Sequence, residues 1–215
     1  MPANPSDARR MRRKPLQARS QERVNRILDV AEDLFATQSY AVTTTKAIAK
    51  QAEVSIGSLY QFFPDKGAIL QALAVRQNEL LYERLALFNH AELAQLPLST
   101  YVEQLIDISA QFFWDNPGYY ATFMEVQGSI PELQQIEDAA DAKLIQDLAA
   151  SLAQRETIED AVIDYEVVAF VLVKAIGTLL WLSVSQERIF QQRLIAEIKC
   201  FALNYLQSYF PSSLI

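Results

Sequence analysis

Residues 43–66 form the stretch that most constrains the fold. The chain here runs TTTKAIAKQAEVSIGSLYQFFPDK. Its apolar spacing predicts two short helices joined by a tight turn, with Pro64 ending the second helix. Thr44 or Thr45 can cap the first helix and Ser55 the second, because a hydroxyl oxygen accepts an orphan backbone N–H. Helices this short are not stable alone, so we expect them to pack against another helix.

The second of these helices has two sides of different chemistry. One side carries large apolar residues that predict burial, namely Leu59, Phe62 and Phe63. The other side carries only small or polar residues, namely Gly57, Ser58 and Gln61. A helix with a capped start and a small, uncharged outer face can approach another surface closely. This arrangement is typical of a recognition helix in the major groove of DNA.

The stretch resembles the DNA-binding signature of the TetR family of transcriptional regulators, roughly T-T-x-x-x-I-A-x-x-A-G-V-S-x-G-x-L-Y-x-x-F-x-x-K. The matching positions follow one another without a gap: Thr43, Thr44, Ile48, Ala49, Ala52, Val54, Ser55, Gly57, Leu59, Tyr60, Phe63 and Lys66. The main departure is Glu53, where the family usually has glycine. A left-handed residue other than glycine costs roughly 1–2 kcal/mol. We therefore expect either strain at this turn or a different conformation of Glu53.

The resemblance implies contacts with DNA for eight residues, and two lysines would flank them. Three match positions that typically touch phosphate: Thr45, Tyr60 and Lys66. Ser55 and Gly57 open the second helix, where backbone N–H groups can meet a phosphate oxygen. Three more match exposed positions that can reach base edges: Ile56, Ser58 and Gln61. Lys46 would flank the phosphates, as would Lys50. The alternative is that the hydroxyl groups only cap helices and Tyr60 only packs.

Composition favours an all-α protein that is not secreted. The chain has 215 residues, of which 51% are hydrophobic and only five are glycine. Its long stretches have helical periodicity and little strand-like alternation. The single cysteine, Cys200, excludes an internal disulfide, and its apolar neighbours predict a core thiol. No signal peptide follows the basic N-terminus, and Lys174 interrupts the most apolar stretch, so we expect a cytoplasmic protein without a membrane span.

Charge is distributed unevenly along the chain. The net charge is −7, but residues 1–70 contain eleven Lys or Arg against seven Asp or Glu. The remainder contains eight against nineteen. A basic head on an acidic body is what phosphate binding by one end requires. Residues 1–18 hold a block of basic residues, which predicts a disordered tail or an arm that contacts DNA.

The pattern predicts about nine helices and three regions. Residues 1–18 form the basic arm, 19–65 a three-helix DNA-binding head, and 66–215 a helical effector-binding and dimerisation domain. Outside the two short helices, the predicted helices are about 20–37, 66–89, 98–115, 117–128, 131–154, 158–185 and 187–209. The 66–89 helix links head to body, so we expect it to act as a lever between them.

An aromatic cluster around Pro117 makes the body a candidate effector site. Aromatic residues at helical spacing usually form only a core, which is the alternative here. The resemblance places a mostly apolar ligand pocket in this region. The candidate lining residues are Phe112, Phe113, Tyr120, Phe123, Met124, Gln127, Tyr165 and Trp181.

The last two helices are a candidate dimer interface. The first of these helices has apolar residues on nearly all of its sides, whereas a helix packed on one core needs only one apolar stripe. We therefore expect a partner to cover part of it. The resemblance implies that these helices pair with their copies in a four-helix interface. The candidate residues are Trp181, Phe190, Leu194, Ile198, Phe201 and Tyr205.

Catalytic and metal-binding constellations are not evident in the sequence. The chain has one histidine, His90, and one cysteine, so we expect no metal site, no cofactor and no enzyme. The favoured hypothesis is a homodimeric repressor that binds a palindromic operator and is released by a small apolar or amphipathic effector. The alternative is a DNA-binding regulator controlled by a protein partner without a small-molecule effector.

Overall fold

The computed structural model describes residues 18–86, 96–126, 130–155, 157 and 162–210. Within these ranges the regular structure is entirely α-helical, which confirms the predicted fold class. The helices are α1 Ala18–Gln38, α2 Thr45–Gln51, α3 Ile56–Phe62, α4 Lys66–Ala86, α5 Leu98–Asp115, α6 Pro117–Val126, α7 Pro131–Leu152, α8 Tyr165–Ser183 and α9 Arg188–Gln207.

The start of α8 is the largest error in the predicted helix boundaries. The sequence pattern placed this start near residue 158, but α8 begins at Tyr165. Asp164 caps the helix, because its side chain accepts a hydrogen bond from the backbone N–H of Val167 at 3.1 Å. Val162 and Ile163 extended the apolar pattern, yet Val162 is fully exposed. The ends predicted for α4 and α6 lie outside the described residues.

The chain divides into two compact units, and the first contains the predicted head. It comprises Met1–Asn78 and Pro117–Glu137. In it α1 packs against α2 and α6, and α2 packs against α3. The core side chains, each at most 2% exposed, come from four helices and the segment after α3: Ile27, Phe35, Ile48, Leu59, Phe63, Ile69 and Leu70. The short helices are therefore held by burial of their apolar sides.

The first part of α4 belongs to this unit, so residue 65 is not where the compact units divide. Two nitrogen atoms of Arg76 donate to the carboxylates of Asp29 at 2.6 Å and Glu32 at 2.7 Å. Gln77 donates to the other oxygen of Glu32 at 2.8 Å. Burial raises the pKa of Glu32, and the Arg76 guanidinium opposes that rise. These polar contacts fix α4 on α1.

Helix α6 lies unusually close to α1. A Cβ atom at Gly118 would lie 2.5 Å from the Cβ atom of Ala36. Carbon atoms cannot approach so closely, so glycine is required here for packing. Nearby, burial raises the pKa of Tyr120, and the charges of Glu137 and Glu32 add to the rise.

The second unit comprises Glu79–Asn116 and Asp138–Ile215. Helix α5 packs against α9 and α8, and α8 packs against α9. Lys199 pairs with Asp107 at 2.6 Å, and Lys174 pairs with Asp138 at 3.2 Å and Asp141 at 2.6 Å. These ion pairs join α9 to α5 and α8 to α7.

The apolar stretch of α8 reaches the length of a membrane span, and the prediction for Cys200 in α9 was wrong. By length and composition alone, α8 is apolar enough to cross a membrane despite Lys174, although core helices of soluble proteins pass the same criterion. Cys200 is exposed rather than a core thiol. It lies on the side of α9 opposite the buried residues of that helix, and Asn204 donates to its sulfur at 3.2 Å.

We expect Gly118→Ala to destabilise the protein by about 1–3 kcal/mol, because the added methyl group overpacks the contact with α1. Urea unfolding of the variant measures this loss. The second substitution Ala36→Gly opens the same contact, so G118A/A36G is expected to recover part of it. Equal stability of G118A and the parent would contradict the close approach.

Candidate nucleic-acid interface

The two short helices are capped by the hydroxyl groups that the sequence indicated. Thr44, rather than Thr45, caps α2, and its oxygen accepts the backbone N–H of Ala47 at 3.2 Å. Ser55 caps α3 and accepts the backbone N–H of Ser58 at 3.0 Å. Each cap satisfies one orphan donor of a helix only seven residues long. The caps therefore fix where each helix begins.

The turn between α2 and α3 is strained at one residue. Glu53 has a φ of 54°, so it adopts the left-handed conformation. The backbone N–H groups of Ala52, Glu53 and Val54 still donate to carbonyl oxygens of α2, at 2.9, 3.2 and 3.0 Å. The hydrogen bonds of the turn hold Glu53 in this conformation. Of the two expected outcomes at Glu53, the structure therefore shows strain.

Helix α3 has the two sides that its sequence predicted. Leu59 and Phe62 are buried, together with Phe63 directly after the helix. The opposite side exposes Ile56, Gly57, Tyr60 and Gln61. Lys46 and Lys50 are exposed on α2. The head thus presents an uncharged helix face beside a helix that carries two lysines.

Two residues predicted to touch phosphate lie side by side. The hydroxyl oxygens of Thr45 and Tyr60 are 3.0 Å apart and share a hydrogen bond. Thr45 is the first residue of α2, and Tyr60 lies in α3 and is 41% exposed. The pair therefore joins the start of α2 to the middle of α3 and presents two hydroxyl groups at one place.

The structure gives the ammonium group of Lys66 a structural role. It donates to the backbone carbonyl oxygens of Tyr40, of Ala41 at 3.3 Å and of Thr43 at 2.9 Å. It also lies 4.2 Å from the centre of the Tyr40 ring. An ammonium group can donate three hydrogen bonds, so it can serve these carbonyls together. Lys66 therefore ties α4 to the turn after α1, and its contact with phosphate stays a prediction.

Ser58 is also engaged within α3. Its hydroxyl accepts a hydrogen bond from the Ser55 hydroxyl at 2.9 Å, in addition to the backbone contact of the cap. Ser58 is only partly exposed. Ile56 and Gln61 are thus the more accessible of the three predicted base-contacting side chains.

The predicted pocket residues divide between the two compact units. Tyr120, Phe123 and Met124 belong to the first unit, where the two aromatic residues are buried and Met124 is 46% exposed. The second unit holds the others, namely Phe112, Phe113, Tyr165 and Trp181. Of these, Phe112 and Phe113 are buried. Gln127 lies outside the described residues, so the pocket as a whole stays a prediction.

Most of the predicted dimer residues share one face of α9. At about 100° per residue, Phe190, Leu194, Phe201 and Tyr205 fall within roughly 60° of arc. Phe190 and Phe201 are 51% and 42% exposed. The prediction that Ile198 belongs to the dimer interface was wrong, because this residue is 1% exposed in the core of its own unit and cannot face a partner. The prediction also missed four exposed apolar residues, namely Val167, Phe170, Leu182 and Ile189.

Comparisons with known proteins define the class of this chain. A family model described as "Tetracyclin repressor-like, C-terminal domain" matches residues 97–206. A second model, "Bacterial regulatory proteins, tetR family", matches residues 27–73. The chain therefore belongs to the TetR family of DNA-binding transcriptional regulators. This family does not consist of enzymes, in agreement with the sequence prediction.

The relatives with the higher identities match short segments of the chain. It is 46% identical over 50 residues to the HTH-type transcriptional regulator HbdR of Aromatoleum sp., covering 23% of this chain and 22% of HbdR. It is 35% identical over 63 residues to the HTH-type transcriptional repressor KstR of Rhodococcus jostii, covering 29% of this chain and 30% of KstR. The matched segments thus span less than a third of these relatives.

A solved structure shows the likeness over most of the chain. It is a TetR-family transcriptional regulator from Streptomyces coelicolor, with a TM-score of 0.69 and 18% identity. The match covers 87% of this chain and 82% of that one. At this identity the likeness establishes the fold alone.

We expect Glu53→Gly to stabilise the head by about 0.5–1 kcal/mol, because glycine removes the left-handed strain while adding freedom to the unfolded chain. Glu53→Ala is the matched control, since it removes the carboxylate but keeps the strain. Chemical unfolding compares the two variants. Equal stability of both would show that the backbone at this position is not strained.

We expect Lys66→Met to destabilise the protein by about 1.5–3 kcal/mol, because it leaves the carbonyls of the 40–43 turn without a charged donor. Lys50→Met removes an exposed lysine and is expected to change stability little. Thermal unfolding at two salt concentrations compares them. An unchanged melting temperature in K66M would show that these contacts do not stabilise the fold.

Proposed function

We propose that this chain binds a roughly palindromic DNA operator as a homodimer, with α3 of each subunit in the major groove. The observation that carries the proposal is the exposed side of α3, which begins at a capped N-terminus. Ile56 and Gln61 point outward there, where glutamine can pair with adenine and isoleucine can contact a thymine methyl group. The Thr45–Tyr60 hydroxyl pair and the exposed lysines of α2 supply groups for the phosphates on either side.

Gly57 supports a close approach by DNA. Glycine inside a helix costs up to about 1 kcal/mol relative to alanine. Within the chain nothing requires it, since a Cβ atom at this position would meet only the Ser55 hydroxyl oxygen, at 4.0 Å. Its φ lies outside the left-handed region as well. Packing within the chain thus does not explain this glycine, whereas a phosphate backbone that contacts the start of α3 would.

Dimerisation follows from the operator geometry and from α8 and α9. Two heads must reach half-sites about one helical turn apart, or a multiple of it. Exposed aromatic residues on α8 and α9, namely Phe170, Phe190 and Phe201, give the subunits an apolar surface to bury. Gly177 lies on the same face of α8 as Phe170, and its missing side chain leaves open space for a neighbouring helix. We propose a cytoplasmic location, because that is where a DNA-binding regulator would meet its operator.

The regulation we propose is repression that a small apolar or amphipathic effector relieves. The buried aromatic residues Phe112 and Phe113 of α5 support an apolar ligand, and KstR is a named repressor. Ligand binding would tilt α4, which continues from the first unit into the second. The heads would then no longer match the half-sites. To release DNA, the ligand must favour the incompetent state by a few kcal/mol.

The first experiment is fluorescence anisotropy of the purified protein with its own upstream DNA, with and without a cell extract. Specific binding by two subunits per site supports the operator proposal, and relief by the extract supports an effector. Binding that only a protein fraction relieves would favour control by a protein partner. Absence of specific binding to any upstream fragment would reject the proposed function.

We expect Gly57→Ala to separate stability from DNA binding. The methyl group has room inside the chain, so folding stability is expected to rise by up to about 1 kcal/mol. DNA affinity is expected to fall about tenfold or more, because the methyl group meets the phosphate backbone. Unfolding and anisotropy on the same sample measure both. Unchanged affinity would place the start of α3 away from DNA.

We expect Gln61→Ala to relax the preference at one base pair of each half-site by about 1–3 kcal/mol. Competition between operator variants, each changed at one position, measures this preference. Gln192→Ala, which removes an exposed glutamine of α9, is the matched control. Equal weakening on every operator variant would show that Gln61 does not contact a base.

A further inference from the structure

Arg155, three residues beyond α7, lies against the first turn of α5 in the second compact unit. Its Nη1 atom donates to the backbone carbonyl oxygen of Leu96 at 2.9 Å, two residues before α5 begins. The guanidinium lies 4.5 Å from the centre of the Tyr101 ring. The hydroxyl groups of Tyr101 and Ser151 are 3.4 Å apart beneath it. One nitrogen and one face of the guanidinium are thus held by the chain.

The other edge of this guanidinium has no hydrogen-bond acceptor among the described residues. Both Nε and Nη2 are buried and have no hydrogen-bond partner among the described residues. Each unpaired buried donor costs about 1–3 kcal/mol, more where the group is charged. Burial lowers the pKa of Arg155, yet an arginine keeps its charge in proteins. A buried, charged fork without an acceptor requires an explanation.

We propose that the Nε–Nη2 edge of Arg155 binds an oxyanion, the carboxylate or phosphate group of a small ligand. These two N–H groups lie on one side of the planar guanidinium, and such a fork matches two oxygen atoms of one carboxylate or phosphate. The contact with Leu96 holds the opposite side of the guanidinium, so this edge is fixed in direction.

The start of α5 favours the same ligand. Its N-cap is Pro97, which makes no side-chain cap hydrogen bond. The first N–H groups of the helix therefore lack a side-chain acceptor, and the positive end of its dipole favours an anion nearby. Both nitrogen atoms of the fork are covered from solvent, so binding requires a local rearrangement. This cover favours a small oxyanion over a large one.

Thermal unfolding of the full-length protein in sodium acetate, sodium phosphate and sodium chloride at equal ionic strength tests the proposal. We expect acetate or phosphate to raise the melting temperature above that in chloride. The rise is on the order of 3–6 °C at about ten times the dissociation constant. A rise in acetate alone identifies a carboxylate site, and a rise in phosphate alone identifies a phosphate site.

Variants link the effect to this edge. Arg155→Lys keeps the charge but lacks the fork, and Arg155→Met removes both, so each is expected to lose the rise. Lys199→Met removes the cation that pairs with Asp107 and is expected to keep it. If R155M does not fold, R155K alone decides. No rise in the parent protein, or a full rise in R155K, would overturn the proposal whether or not the protein binds DNA.

Discussion

The head depends on burying the apolar sides of two helices that cannot exist alone. Helices α2 and α3 have seven residues each, and isolated helices of that length are unstable in water. Leu59 and Phe63 are completely buried, and Ile48 is as well. Every feature of the proposed DNA surface follows from this packing, because it fixes which side of α3 remains exposed. The caps at Thr44 and Ser55 then set the position of that side along the helix.

Contacts between distant segments complete the same unit. Lys66 ties the start of α4 to the turn after α1 through three carbonyl oxygens. Arg76 and Gln77, about three turns further along α4, pair with acidic groups of α1. Gly118 allows α6 to approach α1. A change in α4 or α6 therefore acts directly on the helix that supports α2 and α3, which is the coupling that the proposed regulation needs.

The sequence predicted the head more fully than the body for a physical reason. Caps, turns and apolar stripes act over three or four residues, so residues 43–66 contain the information for their own local structure. The roles of Lys66 and Ile198 depend on partners far away in the chain. The sequence does not show that backbone carbonyls of residues 40–43 surround the ammonium group of Lys66. It also does not show that Ile198 lies in the core of its own unit.

The sequence by itself determined the all-α class, the helix-turn-helix motif and the likeness to the TetR family. It also determined that Glu53 stands at a position where glycine is usual. Only the tertiary structure decided that Glu53 adopts the left-handed conformation, that α6 packs on α1, and that one edge of Arg155 is buried without a partner in the part of the chain that the structure describes. Local patterns specify helices because their hydrogen bonds join residues four apart. Close approaches and unpaired groups arise where segments far apart in the sequence meet. A local sequence pattern contains no information about such contacts.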